Sequence, residues 1–306
     1  MDRHGSRMKQ HHLQETALRY FLDVVRTGSI SESSVRLNVA ASAISRQIAG
    51  LESALGTPLF ERRPRGMVAT AAGELLAAYA SRLALEADRI VQDIDALQGV
   101  RRGKIRIASS DGGAIEFLPQ AMAAFRTDYP GIHFHLAVSA PAEVTRRVRE
   151  GEVDIGLTFS RTTHGDIKVV HRSPAPVVAV MRREHPLARF ERVSLAQLRE
   201  YPLALSDTNT TIRQLFDITA SQQRLVFEPV MVSNYAESLH NFVAASDAVS
   251  IAAEVTIRHR VARGEIAAVP IRDPGLCERH IEVQTLVGRT LPKNVQLFVE
   301  FLCTLL

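Results

Sequence analysis

The stretch that decides the fold runs from Ser29 to Thr70 and reads SISESSVRLNVAASAISRQIAGLESALGTPLFERRPRGMVAT. Within residues 41–55 four apolar residues recur at spacings of four, three and four, which predicts an α-helix with one buried face. These residues are Ile44, Ile48, Leu51 and Leu55. The opposite face carries the polar residues Ser42, Ser45, Arg46 and Gln47. We expect Gly56 and Pro58 to end this helix, because glycine accepts the left-handed cap conformation and proline cannot continue a helix.

A shorter helix precedes this one, and a basic hairpin follows it. The shorter segment has Ile30, Ser34 and Leu37 on one face. It ends at Asn38, a residue type that tolerates the backbone of a tight turn. The hairpin turn, residues 62–66, holds three arginines in four positions. A helix-turn-helix followed by a cationic loop suits insertion of the second helix into the major groove, with the loop on the neighbouring backbone. We therefore predict a winged helix-turn-helix that binds double-stranded DNA.

The distribution of charge supports this assignment. The 306 residues carry a formal net charge of +4, with 37 Lys and Arg against 33 Asp and Glu. Residues 1–70, the predicted DNA-binding domain, contain 10 Lys and Arg and 6 Asp and Glu, whereas residues 71–306 contain 27 of each. The excess positive charge thus lies in the segment assigned to DNA, where a phosphate-binding surface requires it.

Residues 18–76 resemble the N-terminal domain of LysR-type transcriptional regulators without a gap. The motifs that carry the resemblance are Ser45-Arg46-Gln47-Ile48, Leu51-Glu52 and Pro58-Leu59-Phe60-Glu61-Arg62. Two features depart from the family pattern. Ala40-Ala41-Ser42 stands where the family has Ser-Gln-Pro, so an N-cap side chain is missing at 40 and a base-contacting glutamine at 41. Ser33-Ser34 replaces the usual pair of alanines. These changes bear on the operator sequence and leave the DNA-binding role unchanged.

The resemblance and the helix pattern together predict which side chains contact DNA. We expect the recognition helix to face the groove and the hairpin arginines to contact the backbone or the minor groove. The expected DNA-binding residues are Ser31, Ser42, Ser45, Arg46, Gln47, Arg62, Arg63 and Arg65.

A long helix is predicted next, over residues 71–98, as part of a linker that extends to residue 100. Its apolar residues follow a heptad pattern: Leu76, Ala80, Leu83, Ala87, Ile90, Ile94 and Leu97. A sustained heptad favours a partner helix, although a core helix of the following domain is the alternative. The resemblance implies the former, a linker helix through which two subunits dimerise. The expected dimerisation residues are Leu76, Leu83, Ile90, Ile94 and Leu97.

Residues 101–306 alternate between short strand-like runs and helical patterns. The strand-like runs are 104–109, 132–138, 153–159, 176–181, 202–205, 228–232, 248–252, 266–270 and 280–287. This alternation predicts an α/β domain with mostly parallel sheets. We expect two lobes, about 104–175 with 279–306 and about 176–278. The layout resembles the type-2 periplasmic binding protein fold, which LysR-type regulators use to bind their effectors.

Polar residues follow several of the predicted strands, and ligands bind at such strand ends in open α/β sheets. The resemblance implies that hydroxyls after the first strand, the residue after the second strand and the polar loop of the second lobe line the effector cleft. The expected effector-binding residues are Ser109, Ser110, Ser139, Thr158, Ser206, Thr208 and Asn234. For any one of them alone a helix N-cap is the simpler interpretation, but as a set at the same end of the sheets they favour a polar small molecule.

The class of effector is less tightly constrained than the place where it binds. Hydroxyls and helix N-termini suit a carboxylate, to which Arg161 or Arg213 would add charge-assisted hydrogen bonds. Asp111 and Asp207, at the same mouth, would hold an ammonium group instead. We therefore expect a small polar effector, an organic acid or an amino acid.

Catalytic and metal-binding motifs are missing from the sequence. We find no Gly-x-Ser-x-Gly, Walker, dinucleotide-binding or His-Glu-x-x-His motif, and we predict no catalytic residue, metal or cofactor. The two cysteines, Cys277 and Cys303, are expected to be reduced, packed thiols in a cytoplasmic protein. Residues 1–14 do not read as a signal peptide, and no apolar run is long enough to span a membrane.

The sequence thus indicates an allosteric transcriptional regulator. The resemblance implies a homodimer that assembles into a homotetramer on promoter DNA, where effector binding changes DNA bending and contact with RNA polymerase. The alternative is a cytoplasmic small-molecule-binding protein, or an enzyme, with a fold like that of periplasmic binding proteins. Promoter binding by the full chain separates the two.

Overall fold

The computed structural model describes residues 15–64, 66–97, 103–160, 165–277 and 279–306. The chain divides into two compact units, Met1–Val100 with Arg289–Pro292, and Arg101–Gly288 with Lys293–Leu306. The expectation about residues 1–14 lies outside the described residues. Within the described part no helix has the length and apolar character that a membrane crossing requires.

The first unit is a winged helix-turn-helix followed by a long helix. Its elements are α1 (Thr16–Thr27), α2 (Ile30–Leu37), α3 (Ala41–Leu55), β1 (Phe60–Arg63), β2 (Gly66–Ala69) and α4 (Ala71–Leu97). The predicted helix ends are confirmed: Asn38 and Gly56 both adopt the left-handed conformation, with φ of 55° and 68°. β1 and β2 pair antiparallel, with Phe60 opposite Ala69 and Arg63 opposite Gly66.

The core of this unit lies between α1, α3 and the hairpin. The fully buried Phe21 and Ile44 pack there with Leu59 and Phe60, and the rings of Phe21 and Phe60 lie 5.2 Å apart. The buried face predicted for α3 holds for its first three members only. Leu55 is 53% exposed, so its predicted burial is wrong. Leu55 is the last residue of α3, and it is not among the residues that pack on the core of this unit, whereas Leu51 is.

The first lobe of the second unit contains a five-stranded sheet. Its strands are β3 (Gly103–Ser109), β4 (Ile132–Val138), β5 (Ile155–Ser160), β6 (Ile167–Pro174) and β12 (His280–Leu286), in the order β4-β3-β5-β12-β6. Its helices are α5 (Asp111–Ile115), α6 (Phe117–Asp128), α7 (Pro141–Arg149) and α12 (Lys293–Leu305). The sheet thus takes strands from both sides of the second lobe.

The second lobe occupies the sequence between β6 and β12. Its strands are β7 (Val177–Met181), β8 (Ala204–Ser206), β9 (Met231–Ser233), β10 (Ser250–Ala253) and β11 (Ala267–Pro270). Its helices are α8 (Leu195–Leu198), α9 (Thr211–Gln222), α10 (Ala236–Ala244) and α11 (Glu254–Ala262). The strands form the order β10-β7-β11 and a separate pair β8-β9.

The sheets are mixed, so the predicted mostly parallel pairing is wrong. β3 pairs parallel with β4 and β5, but β12 pairs antiparallel with both β5 and β6. β7 likewise pairs antiparallel with β10 and β11. β12, the strand that returns to the first lobe from the second, thus runs opposite to both of its neighbours. Strand β6 has no counterpart in the predicted runs, because Lys168, His171 and Arg172 interrupt its apolar residues.

The first lobe has an aromatic core between its sheet and its helices. Phe298 of α12 is fully buried, with its ring 5.0 Å from that of Phe125 and 4.8 Å from that of Phe134. The C-terminal helix thus packs within the first lobe. Both cysteines are free thiols, but Cys277 is exposed and Cys303 half-buried, so the prediction that both are packed is wrong for Cys277.

Candidate DNA-binding surface and effector cleft

The recognition helix α3 is fixed by two buried isoleucines, Ile44 and Ile48, on its inner face. This anchoring leaves the predicted contact residues on the outer face exposed or half-buried: Ser42, Ser45, Arg46 and Gln47. Ser31, at the start of α2, is exposed as well. Among the described residues Arg46 has no carboxylate within ion-pair distance, so its guanidinium is available to a DNA base or phosphate.

The first turn of α3 lacks a side-chain cap. Ala40 occupies the N-cap position in extended conformation (φ −66°, ψ 137°), and no side chain accepts a hydrogen bond from the free N–H groups of the turn. The sequence predicted this missing cap at residue 40. A backbone already in N-cap conformation would accept a capping side chain without rearrangement.

Replacing Ala40 with serine is therefore expected to stabilise the DNA-binding unit by about 1 kcal/mol. The gain should appear as a rise of about 4–8 °C in the unfolding midpoint of this unit, followed by differential scanning calorimetry. Ala54→Ser, at an exposed position in the last turn of the same helix, is the matched control and should give no increase. Equal behaviour of the two variants would contradict the capping argument.

The arginines of the hairpin differ in whether they form an ion pair within the protein. Arg62 is exposed with no ion-pair partner among the described residues, whereas Arg63 pairs with Glu61 at 3.0 Å. Arg65 lies outside the described residues. The hairpin is held against the helices by Gly28, whose carbonyl accepts a hydrogen bond from the Met67 N–H at 2.8 Å.

Gly66 makes that close approach feasible. Its φ is +125°, and a Cβ atom there would lie 2.5 Å from the carbonyl oxygen of Gly28. A side chain at this position would both strain the backbone and push the hairpin away from the helices.

The serine pair in α2 has a structural explanation at its first member. Ser33 is fully buried, and its hydroxyl lies 2.8 Å from that of Thr27 at the end of α1. The hydrogen bond to Thr27 satisfies the buried hydroxyl, as is usual for polar groups in protein interiors. This departure from the family pattern thus fixes the packing of α1 against α2.

Helix α4 exposes only part of the apolar face that the heptad pattern indicated, together with two apolar residues outside that pattern. Leu76 and Leu83 pack against the cluster of Leu18, Leu22 and Ala80 in their own unit. The large apolar residues that remain exposed are Leu75, Tyr79, Ile90 and Ile94. Ile90 and Ile94 thus stay available to a partner, while the side chain of Leu97 lies outside the described residues.

A cavity of about 970 Å³ lies between the two lobes of the second unit. Four of the seven predicted effector-binding residues line it: Ser110, Ser139, Ser206 and Asn234. The Ser110 Oγ is buried and has no hydrogen-bond partner, whereas the Ser206 hydroxyl lies 2.8 Å from that of Thr210. The end of β3 and the loop after β8 therefore both face the cleft.

The other three predicted residues do not line this cavity. The Ser109 hydroxyl donates to the Ser110 carbonyl at 2.9 Å, and Thr158 is buried within the sheet. Thr208 is exposed, and both its N–H and its hydroxyl donate to Asp207. Side chains alternate across a strand, so the last residues of one strand cannot all point to the same place.

The charged residues expected from the sequence to flank a ligand are mostly placed elsewhere. Arg213 pairs with Asp217 at 2.8 Å and donates to the Ser206 carbonyl at 3.1 Å, so its guanidinium is occupied outside the cleft. Asp207 is not among the lining residues. Asp111 does line the cavity, where its carboxylate accepts a hydrogen bond from the Ala236 N–H and burial raises its pKa. Arg161 lies outside the described residues.

Sequence reasoning missed Arg279, the arginine that precedes β12. Its guanidinium lies 3.7 Å from the centre of the Phe159 ring, and its Nη2 donates to the Thr211 Oγ1 at 3.2 Å. Its Nε has no partner. Burial without a carboxylate lowers the pKa of Arg279 to about 9, so the side chain is still cationic at neutral pH.

The other arginines of the cleft are paired with carboxylates. Arg260 pairs with Glu237 and Glu265, both at 2.9 Å, and Arg263 pairs with Glu265 at 2.6 Å and with Glu116 at 2.5 Å. Burial, together with the nearby Arg260, lowers the pKa of the lining residue His240 to about 4. The imidazole is therefore neutral at neutral pH, and its Nδ1 has no partner.

Among the described residues, three contacts besides those of Arg279 join the lobes across the cleft. The ion pair between Glu116 and Arg263 is one, and the hydrogen bond from the Ala236 N–H to Asp111 is the second. The third is the close approach of Gly112 to the Thr256 side chain. These contacts couple the position of α5 in the first lobe to α10 and α11 in the second.

Comparison with known proteins identifies the architecture. Residues 16–74 match the family model described as the bacterial regulatory helix-turn-helix protein, lysR family, and residues 98–305 match the LysR substrate binding domain. The chain belongs to the LysR family. It is therefore a DNA-binding transcriptional regulator with an effector-binding domain.

Individual LysR-type proteins resemble the chain over most of its length. It is 30% identical over 284 residues to the transcriptional dual regulator GltC of Bacillus subtilis (92% of this chain, 91% of the relative). A full-length single-residue variant of OxyR from Pseudomonas aeruginosa has the same fold, with a TM-score of 0.67 at 18% identity, and the match covers 95% of this chain and 93% of that one.

The effector-binding domain also has a solved counterpart with a ligand. The regulatory domain of CcmR from Synechocystis PCC6803, in complex with 2-PG, matches with a TM-score of 0.55 at 20% identity. This match covers 66% of the chain and 97% of the CcmR domain.

Proposed function

We propose that this LysR-type regulator changes its binding to promoter DNA in response to a small organic acid or amino acid held between the lobes. The observation that carries the proposal is that one chain contains two sites whose polar groups lack partners within the protein, one on the recognition helix and one in the cleft. The outer face of α3 presents Arg46 without a carboxylate partner among the described residues, and the cleft contains buried polar atoms without partners. The CcmR regulatory domain, which has the same fold and forms a complex with 2-PG, supports a small-molecule ligand for this domain.

The contacts that cross the cleft suggest how the signal is transmitted. A ligand that bridges the lobes alters the separation of Glu116 from Arg263 and of Asp111 from Ala236. A ligand shifts the equilibrium between two conformations only if it binds one of them more tightly. The closed and open arrangements of the lobes must therefore differ in their contacts with the ligand. This difference drives the change on DNA, including DNA bending and contact with RNA polymerase.

The proposed assembly is a homodimer formed through α4, which pairs into a homotetramer on DNA. The proposal also places the protein in the cytoplasm, without a cofactor and without catalytic activity. The exposed Leu75, Tyr79, Ile90 and Ile94 support dimerisation, because exposed apolar residues on one long helix favour a partner helix.

The double substitution Ile90→Glu/Ile94→Glu is expected to weaken the dimer by about 100-fold, since each glutamate would bury an unpaired charge at the interface. Sedimentation equilibrium at several protein concentrations measures this change. Val226→Glu introduces a charge at a residue that is 78% exposed in the second lobe, and it should leave the dimer unchanged. A dimer that survives the double substitution would place the interface elsewhere.

DNase footprinting of the full-length protein on the intergenic DNA beside its own gene tests the regulatory function. Protection of an inverted repeat, which alters when the effector is added, is the expected result. The Arg46→Ala variant is footprinted in parallel, and it should protect the same DNA only at a higher protein concentration. Protection that is independent of sequence, at both low and physiological salt, would contradict the proposed sequence-specific role.

A further inference from the structure

Arg279 is the one arginine lining the cleft that, among the described residues, has no partner of opposite charge. The residue is 5% exposed, and its guanidinium makes a ring contact with Phe159 and one hydrogen bond to Thr211. Five N–H groups radiate from a guanidinium, so most of its donor capacity has no protein partner in the part of the chain that the structure describes. Its Nε is buried without a partner.

A buried cation without an anion destabilises a folded protein, because burial removes hydration that nothing replaces. The ring face of Phe159 and one hydroxyl replace only part of that hydration. The neighbouring Arg260 and Arg263 differ from Arg279 in this respect, since each forms ion pairs with two carboxylates. The environment of Arg279 is that of a cation whose partner is supplied from outside.

From this geometry we infer that Arg279 binds the carboxylate of the effector as its principal charged contact, with Thr211 and the first turn of α9 beside it. The inference rests on the proposed effector function of the cleft and names the chemistry of the ligand. Helix α9 has twelve residues, and its N-terminus lines the cavity through Thr210, Thr211 and Ile212. The partial positive charge of a helix N-terminus adds to that of the guanidinium, and both favour an anion.

The rest of the lining indicates the body of the ligand. Near neutral pH the described part of the cleft offers one cation without a carboxylate partner, which matches a single negative charge better than a phosphate dianion. The Ser110 Oγ and the neutral His240 ring are polar but uncharged, and both have an atom without a partner. Apolar side chains complete the wall, among them Ile212 and Leu239. The expected ligand is a monocarboxylate with an uncharged body that carries hydroxyl or other polar groups.

The place of Arg279 in the chain connects this contact to the movement of the lobes. The residue lies in the segment that returns from the second lobe to β12, and its carbonyl accepts a hydrogen bond from the Ala175 N–H in the outgoing segment at 2.8 Å. Its side chain contacts Phe159 of the first lobe and Thr211 of the second. A carboxylate bound here neutralises a charge at the crossover itself and is expected to change the preferred angle between the lobes.

The first test needs no ligand. Arg279→Met removes the buried charge and keeps a long side chain, so it should raise the unfolding midpoint of the unliganded full-length protein by about 2–4 °C. Arg192→Met, at an exposed arginine of the second lobe, should leave the midpoint unchanged. A lower midpoint for Arg279→Met would show that the arginine stabilises the fold, and would overturn the inference.

The second test measures binding to the full-length protein by calorimetry, with benzoate, glycolate and gluconate as probes and their neutral amides as matched controls. At least one carboxylate should bind, its amide should bind at least about 10-fold more weakly, and Arg279→Met should lose the preference. Arg279→Lys keeps the charge but loses the planar fork, so it should retain the preference with about 10-fold weaker binding.

The inference would be overturned by equal binding of acids and amides, by acid binding that survives in Arg279→Met, or by no binding of any carboxylate. Tighter binding of inorganic phosphate than of the carboxylates would also overturn it, in favour of a phosphorylated ligand. Footprinting is independent of this outcome, so a failure here leaves the DNA-binding function standing.

Discussion

Replacing Arg46 with alanine should weaken binding to the operator by about 10–100-fold without changing the stability of the protein. Arg46 lies on the outer face of the recognition helix, which the buried Ile44 and Ile48 hold in a single orientation. Its side chain is exposed and makes no ion pair among the described residues, so its removal costs the fold little. A bidentate contact to a guanine is worth about 1–3 kcal/mol, which corresponds to this loss of affinity.

Fluorescence anisotropy titrations at several salt concentrations measure the effect and distinguish two kinds of contact. If Arg46 reads a base edge, the substitution should relax the preference at one operator position and leave the slope of log K against log salt nearly unchanged. Arg62→Ala is the comparison, because loss of a phosphate contact lowers affinity on every sequence and makes that slope shallower. The exposed Arg192→Ala serves as the control. Unchanged operator affinity for Arg46→Ala would remove this residue from the interface.

The second large effect concerns stability. Phe298→Ala should lower the free energy of unfolding of the effector-binding domain by about 3–5 kcal/mol. Phe298 is fully buried, with the rings of Phe125 and Phe134 within 5.0 Å, so the substitution leaves a cavity between α12 and the rest of the first lobe. Urea denaturation followed by circular dichroism should show the loss as an earlier transition of this domain.

Phe190→Ala is the matched control for this change. Phe190 is 40% exposed on the second lobe, and its truncation should alter the free energy of unfolding by less than about 1 kcal/mol. A similar destabilisation by both substitutions would mean that the aromatic cluster is not the central packing element of the first lobe. Operator binding by Phe298→Ala under conditions where it stays folded should resemble that of the wild-type protein.

The sequence was most informative where the determinants of structure are local. The apolar spacing of residues 41–55, with Gly56 after them, predicted the bounds of α3, because helix periodicity and a left-handed cap depend only on near neighbours. The missing cap at Ala40 was predicted instead from the family resemblance, because Ala40 stands where the family has a serine. The burial of Leu55 was predicted wrongly, because the apolar spacing of a helix does not show how many of its turns are covered by neighbouring elements.

The cleft was only partly predictable for a related reason. The family resemblance, applied to the ends of the predicted strands, identified four residues that do line the cavity: Ser110, Ser139, Ser206 and Asn234. Whether a given hydroxyl points into the cleft depends on strand alternation and on hydrogen bonds, and these turned Ser109, Thr158 and Thr208 elsewhere. The position of Arg213 was likewise decided by its pairing with Asp217.

The sequence by itself determined that the chain contains a winged helix-turn-helix, a long helix and a two-lobed α/β domain. Periodicity, caps and charge distribution are properties of short segments, and the family motifs lie within one continuous stretch. Only the tertiary structure decided which apolar face of α4 remains exposed and that Arg279 lies against Phe159 and Thr211. Arg279 and Thr211 are 68 residues apart in sequence. Their contact exists only because the chain crosses between the lobes and returns, which no local pattern encodes.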